Sequence, residues 1–160
     1  MGGICEIPSS LMSKKQKHAS ADLILKLYEL RRETKMREAR TWIVSFFPET
    51  FDDVMAAVID ERSSGYFRMI TTYWDMAASF VNRGAIDEEM FLDSAGEAWV
   101  VFSKIQPFLA DYRERTSAPK YLKHLEDLLM RQPDAETTLA TRRETMKRWM
   151  VARQEYESAR

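Results

Sequence analysis

Residues 19–47 contain neither glycine nor proline, the two residues that most often interrupt regular secondary structure. The stretch is instead rich in Leu, Lys, Glu and Arg, which are good helix formers. Similar stretches follow up to the C-terminus, and the chain of 160 residues has only five glycines and five prolines. Since no convincing strand pattern is found, the sequence predicts an all-α protein, a single bundle of five or six helices.

The length and composition of the chain fit one globular domain. Hydrophobic residues make up 45% of the sequence and charged residues 31%, which is typical of a folded protein and too apolar for a disordered one. We predict a flexible polar N-terminal arm over residues 1–18 and one all-helical domain over residues 19–160. Ser20 or Asp22 is the expected N-cap of the first helix, because both side chains accept hydrogen bonds from free backbone N–H groups.

The first helical stretch changes face along its length. Its apolar positions share one face up to Leu30 and lie on another face from Met36 onward. Two explanations remain open: either the helix contacts two different neighbours, or it breaks within residues 31–35. Pro48 ends the stretch, because a proline pushes the residue before it out of the α region. Thr50, with an acidic residue three positions later, resembles a capping box for the next helix.

Residues 66–81 have the clearest amphipathic pattern in the chain and are predicted to form the central helix of the core. Gly84 lies where a helix C-terminus favours a residue that tolerates positive φ. Asp87 is the predicted N-cap of the next helix, which Pro107 kinks or splits into two. The residues of this helix that are expected to face the core are Phe91, Ala95, Ala98, Phe102, Ile105, Leu109 and Tyr112.

Two further helices are predicted after this segment. One begins near Pro119 and runs to about Arg131, and the last begins at residues 133–134. The apolar stripe of the last helix is narrow and consists of Leu139, Met146, Trp149 or Met150, and Tyr156. A narrow stripe indicates that this helix completes the groove of a neighbour or mediates a homodimer.

The residue inventory argues against several kinds of chemistry. Cys5 is the lone cysteine and only two histidines occur, so thiolate metal clusters and Cys-His nucleophiles are excluded by number. No glycine-rich phosphate loop follows a strand. We therefore expect no catalytic residues, no metal site and no cofactor. The apolar runs are too short to span a membrane, and without a secretory signal a cytoplasmic location is expected.

The last helix carries the best candidate for a functional surface. Between residues 131 and 153, basic side chains exceed acidic ones by three although the net charge of the chain is −1. With an interleaved aromatic ring, such a stretch is typical of single-strand nucleic-acid binding. The alternative, which we favour, is an amphipathic helix with solvated basic residues and an inward tryptophan. The residues of this candidate nucleic-acid or partner surface are Arg142, Arg143, Lys147, Arg148 and Trp149.

Several of these helical patterns occur together in one known family. The residues concerned are 27–32, 36–40, Trp42 and 47–48, followed in the same order by 84–87, Trp99, Pro107 and 113–121. Over about residues 23–130 the chain resembles a bacterial helical family known only as domain of unknown function 4760. The resemblance implies a helical fold and brings no activity, cofactor or catalytic residue with it.

The functional expectation is a bacterial, non-catalytic interaction or regulatory module that self-associates, with a homodimer or another protein as its partner. Aromatic and methionine side chains on several helical faces favour this interpretation. The second hypothesis is a nucleic-acid-binding protein that uses the basic last helix. The third is an enzyme whose site is assembled from residues distant in sequence.

Overall fold

A computed structural model describes residues 13–160, which are helical and contain no strand, so the predicted all-α class is confirmed for this part of the chain. The number of helices was wrong, because two predicted helices are divided, one into two helices and the other into three. The α-helices are α1 (Lys14–Leu30), α2 (Thr34–Ser45), α3 (Phe51–Ile59), α4 (Ser64–Asn82), α5 (Glu88–Ser94), α6 (Gly96–Ile105), α7 (Leu109–Arg115), α8 (Lys123–Met130) and α9 (Ala135–Ser158). A 3-10 turn, Gln106–Phe108, joins α6 to α7.

The first helix begins earlier than the sequence pattern indicated. Ser13 is its N-cap and forms a capping box with Gln16. Residues 14–18 of the predicted arm are therefore helical, and residues 1–12 lie outside the described part of the chain. The prediction of a cap at Ser20 or Asp22 was wrong. Ser20 is buried inside α1, and its hydroxyl accepts a hydrogen bond from the backbone N–H of Asp87.

The first helical stretch breaks within residues 31–35, which was one of the two explanations for its change of face. Residues 31–33 form a turn between α1 and α2. The Glu33 side chain caps α2 by accepting a hydrogen bond from the Met36 N–H, and the backbone amides at this helix start lower the pKa of Glu33. On the two sides of the break, Arg31 and Arg40 both bind the Glu97 carboxylate of α6. This shared ion pair links the end of α1 and helix α2 to α6.

Helix α4 is the centre of the core, as predicted for residues 66–81. It packs against α2 on one side and α8 on another, with further contacts to α3, α5 and α6. Phe67, Ile70 and Trp74 are buried among these neighbours. Thr71, which the pattern placed on the polar side, is also buried, and its hydroxyl donates to the Phe67 carbonyl. All seven residues that were expected to face the core from residues 91–112 are buried.

Local signals located several boundaries correctly. Thr50 forms the predicted capping box at the start of α3, and Asp87 caps α5. Gly84 has φ of +74°, and Pro107 lies in the 3-10 turn that divides α6 from α7. The expected helix start at Pro119 was wrong. The chain instead turns through residues 118–122 before α8, whose Leu125 N–H donates to Asp75 of α4.

A membrane-spanning helix is not found among residues 13–160, since no helix there combines sufficient length with sufficient hydropathy.

Candidate interaction surface

The fully buried residues of α9 lie in its first half, and Met146 and Met150 farther along are half-buried. The helix packs on α6, with a smaller contact to α8, and buries Ala135 and Leu139. From Val151 to the C-terminus every residue is exposed. With 24 residues, the helix is about 36 Å long at the usual rise per residue. Its distal half, defined as residues 146–158, therefore projects beyond the core.

Four apolar side chains continue the packed face of α9 along the distal half. We call them the apolar stripe: Met146, Trp149, Met150 and Tyr156. Their spacing of three, four and ten residues from Met146 places them on one side of an α-helix. Trp149 is 68% exposed and Tyr156 64% exposed. The favoured expectation that Trp149 packs inward was therefore wrong, because α6 ends before it reaches this position.

The basic residues predicted as a surface do not lie on one face of α9. Arg143 is half-buried, and its Nη1 donates to the Ser103 carbonyl at 3.0 Å and to the Gln106 side chain at 3.4 Å. This contact ties α9 to the end of α6. Arg142, Lys147 and Arg148 are exposed. An α-helix turns by 100° per residue, so Arg142 lies on the same side of α9 as Trp149. Lys147 lies on the same side as Arg143. Arg148 points away from these two sides of the helix.

Charge is unevenly distributed along α9. Residues 142–148 contain four basic side chains and one acidic one, a net charge of +3. In residues 154–158 the charged side chains are Glu155 and Glu157, a net charge of −2. Arg153 lies between these segments and pairs with Glu157 at 3.0 Å. The guanidinium of Arg160 stacks on the Tyr156 ring at 5.4 Å. Residues 142–148 and 154–158 of α9 thus carry opposite net charges, and the basic Arg160 follows the acidic pair.

One buried cation was not singled out by sequence reasoning. Lys104 of α6 is only 3% exposed, and its Nζ donates to the carbonyls of Ile43 at 2.5 Å and Val44 at 3.1 Å. The same Nζ lies 3.8 Å from the centre of the Phe47 ring. Burial lowers the pKa of Lys104 to about 7. The sequence could have indicated this burial, because Lys104 lies within the mostly apolar residues 98–105 of a helix that faces the core. A lysine in such a helix needs a specific partner.

Two concave features occur elsewhere on the described residues. One is an open, shallow groove along the outer side of α2, lined by residues such as Arg37, Glu38 and Trp42. The other is a cavity of about 30 Å³ between α1, α4 and α5, lined by Arg31 and Trp74 among others. That volume holds about one water molecule. Neither feature is lined by His124, and no group of three metal-ligating side chains lies together within residues 13–160.

Comparison with known proteins gives one match. A family model described as "Domain of unknown function (DUF4760)" matches residues 17–132. This range is slightly wider than the resemblance over residues 23–130, and it ends before α9 begins. No curated protein and no solved structure matches the chain.

Proposed function

The chain belongs to the family described as domain of unknown function (DUF4760), and we propose that it is a non-catalytic interaction module that self-associates through the distal half of α9. The observation that carries this proposal is the apolar stripe, which extends a core-facing helical side beyond the core and leaves Trp149 and Tyr156 largely exposed. Aromatic, methionine and arginine side chains are the types enriched in the cores of protein interfaces.

The buried polar groups of the domain support a structural role over a catalytic one. Lys104 donates to two carbonyls, and two arginines bind Oε2 of Glu97, whereas Oε1 of Glu97 is buried without a hydrogen-bond partner among residues 13–160. The hydroxyls of Tyr73 and Tyr121 donate to the Leu27 carbonyl and to the Thr71 hydroxyl. Groups whose hydrogen-bonding capacity is used within the fold hold helices together and are poorly placed to transfer protons to a substrate.

The strength of the association can be bounded from the stripe. Burying both aromatic side chains of each of two copies removes roughly 400–600 Å² from water, which gives about 10–15 kcal/mol at about 25 cal/mol per Å². Loss of translational and rotational freedom costs about 4–15 kcal/mol. The difference runs from no net association to about 11 kcal/mol, a dissociation constant of about 10 nM, so the range includes dimers too weak to form at micromolar concentration. The association therefore has to be sought at high protein concentration.

Sedimentation equilibrium tests the proposal. Protein concentrations between about 1 and 500 µM cover the dissociation constants of a weak dimer. We expect a reversible shift from the 18.7 kDa monomer toward twice that mass. A reductant keeps Cys5 from forming disulfide-linked dimers. The variant Trp149→Glu is expected to remain monomeric, because it places a charge in the interface.

Ile59→Glu is the matched control. Ile59 is 75% exposed at the end of α3, far along the chain from the apolar stripe, and its substitution introduces the same charge. It is expected to leave the dimer unchanged. A wild-type protein that stays at the monomer mass over the whole concentration range contradicts the proposal, as does a Trp149→Glu variant that dimerises like the wild type.

Nucleic-acid binding is a second candidate, favoured by the exposure of Arg142, Lys147 and Trp149 on one helix. It predicts that fluorescence anisotropy of a labelled single-stranded oligonucleotide rises with protein at low salt and falls as salt is added. The double variant Arg142→Glu/Lys147→Glu abolishes this binding, whereas a control with the same charge change at the exposed Arg115 and Lys120 retains it. Absence of binding by the wild type at low salt rules this function out.

A further inference from the structure

Three buried polar atoms near the end of α1 have no hydrogen-bond partner among residues 13–160: Nε of Arg31, Nε1 of Trp74 and Oε1 of Glu97. They belong to the C-cap of α1, to α4 and to α6. Buried donors and acceptors are nearly always paired in folded proteins, since an unpaired one costs free energy. We infer that the three atoms form the binding site of one ordered water molecule. This water accepts hydrogen bonds from the two N–H groups and donates one to the carboxylate oxygen.

The first argument is the one-sided ion pair between Arg31 and Glu97. Nη2 of Arg31 donates to Oε2 of Glu97 at 3.0 Å, and Arg40 binds the same oxygen through Nε at 2.8 Å and Nη2 at 2.7 Å. An arginine often binds both oxygens of a carboxylate through two neighbouring N–H groups. The atoms of that second contact, Nε of Arg31 and Oε1 of Glu97, are the two that lack a partner within residues 13–160. A water between them completes the contact, because it accepts from one and donates to the other.

The second argument is the cavity of about 30 Å³ that Arg31 and Trp74 both line. Cζ of Arg31 lies 5.2 Å from the centre of the Trp74 ring, and two hydrogen bonds of about 2.9 Å each let one water link polar atoms up to about 6 Å apart. Trp74 is only 2% exposed, and its indole N–H can act only as a donor, so it needs an acceptor inside the protein. Glu97 adjoins the cavity through its bond to Arg31.

The third argument is the chemistry of the three atoms, which selects water among small ligands. Water can accept two hydrogen bonds and donate one, which matches two N–H donors and one carboxylate acceptor, and buried waters typically have two to four such partners. A halide ion would bind both N–H groups but would lie against the negative charge of Glu97. An apolar ligand would leave all three atoms unpaired. The bound water thus becomes part of the polar network that joins α1, α4 and α6.

A high-resolution crystal structure tests the site directly. We expect one water in the cavity, within about 3.2 Å of Nε of Arg31, Nε1 of Trp74 and Oε1 of Glu97. Crystals grown in bromide identify an ion, because bromide scatters anomalously and water does not. A bromide peak at the site, a cavity without density, or a water that reaches fewer than these three atoms overturns the inference. A direct hydrogen bond between Nε of Arg31 and Oε1 of Glu97 overturns it as well.

Nuclear magnetic resonance tests the same site in solution. The indole N–H proton of Trp74 is expected to give cross-peaks to water of opposite sign in NOESY and ROESY spectra, which distinguishes a bound water from passing solvent and from proton exchange. Trp74→Phe keeps an aromatic ring without the N–H, so the loss of the peak identifies it. Trp149, which is 68% exposed, is the matched control and is expected to lack this pair of signs. A Trp74 proton that behaves like the Trp149 proton contradicts the inference.

Discussion

The contribution of Lys104 to the pH dependence of folding stability can be predicted in both sign and magnitude. The folded-state pKa of this lysine is about 7, lowered by burial, whereas an unfolded lysine titrates near 10.5. Its two carbonyl acceptors and the Phe47 ring favour the ammonium form, but they do not offset the cost of removing it from water. Below pH 7 both states hold the proton, and the folded state bears the full cost of a buried charge.

Between pH 7 and pH 10.5 only the unfolded chain holds this proton, so the contribution of Lys104 to stability rises with pH in that interval. Linkage between the two pKa values gives a rise of about 2 kcal/mol in the free energy of unfolding from pH 7 to pH 9. The perturbation is Lys104→Met, which removes the titrating group and retains the length of the side chain. Urea denaturation of both proteins at pH 6, 7, 8 and 9 measures the effect.

The decisive quantity is the difference between the two pH profiles, because every other titrating group contributes equally to both. We expect the wild type to gain about 2 kcal/mol relative to Lys104→Met between pH 7 and pH 9. Should Lys104→Met fail to fold because the carbonyls of Ile43 and Val44 lose their donor, Lys104→Gln supplies an uncharged donor at the same place. Parallel profiles for the wild type and the variant refute the reasoning.

Three further changes test other parts of the fold by urea denaturation. Glu97→Gln leaves Arg31 and Arg40 without their shared carboxylate and is expected to cost about 2–3 kcal/mol; an effect below 0.5 kcal/mol contradicts the role assigned to this ion pair. Gly84→Ala is expected to cost about 1 kcal/mol, because φ is +74° there although space for the methyl group is open; no loss would show that the turn relaxes. Thr50→Ala is expected to cost about 1 kcal/mol through loss of the α3 cap, and Thr50→Ser restores it.

Boundaries set by local chemistry could be predicted from the sequence. Two of these boundaries are set by a side chain that caps a helix, at Thr50 and Asp87. Two others are set by the backbone conformation that the residue allows, at Gly84 and Pro107. Each boundary lies where the sequence pattern predicted it. The start of α8 could not be predicted, because it depends on a tertiary contact. Leu122, its N-cap, adopts a left-handed conformation that leucine rarely takes, and its burial stabilises it there.

The candidate surface was only partly predictable, for a different reason. Periodicity shows which residues share a face of α9, and it placed Met146 and Tyr156 on one stripe with a tryptophan or methionine between them. It does not show whether another helix covers that face. Trp149 is exposed, and Arg143 donates a hydrogen bond to the Ser103 carbonyl. Both features depend on where α6 ends in the folded domain.

The overhang of α9 has a consequence for the lifetime of the protein. An isolated helical segment of 13 residues, the length of residues 146–158, is marginal in water and unravels readily. In the self-association that we propose, its backbone is open to proteases in the monomer and protected in the dimer. On that proposal, we expect the rate of degradation of this protein to fall as its concentration in the cell rises.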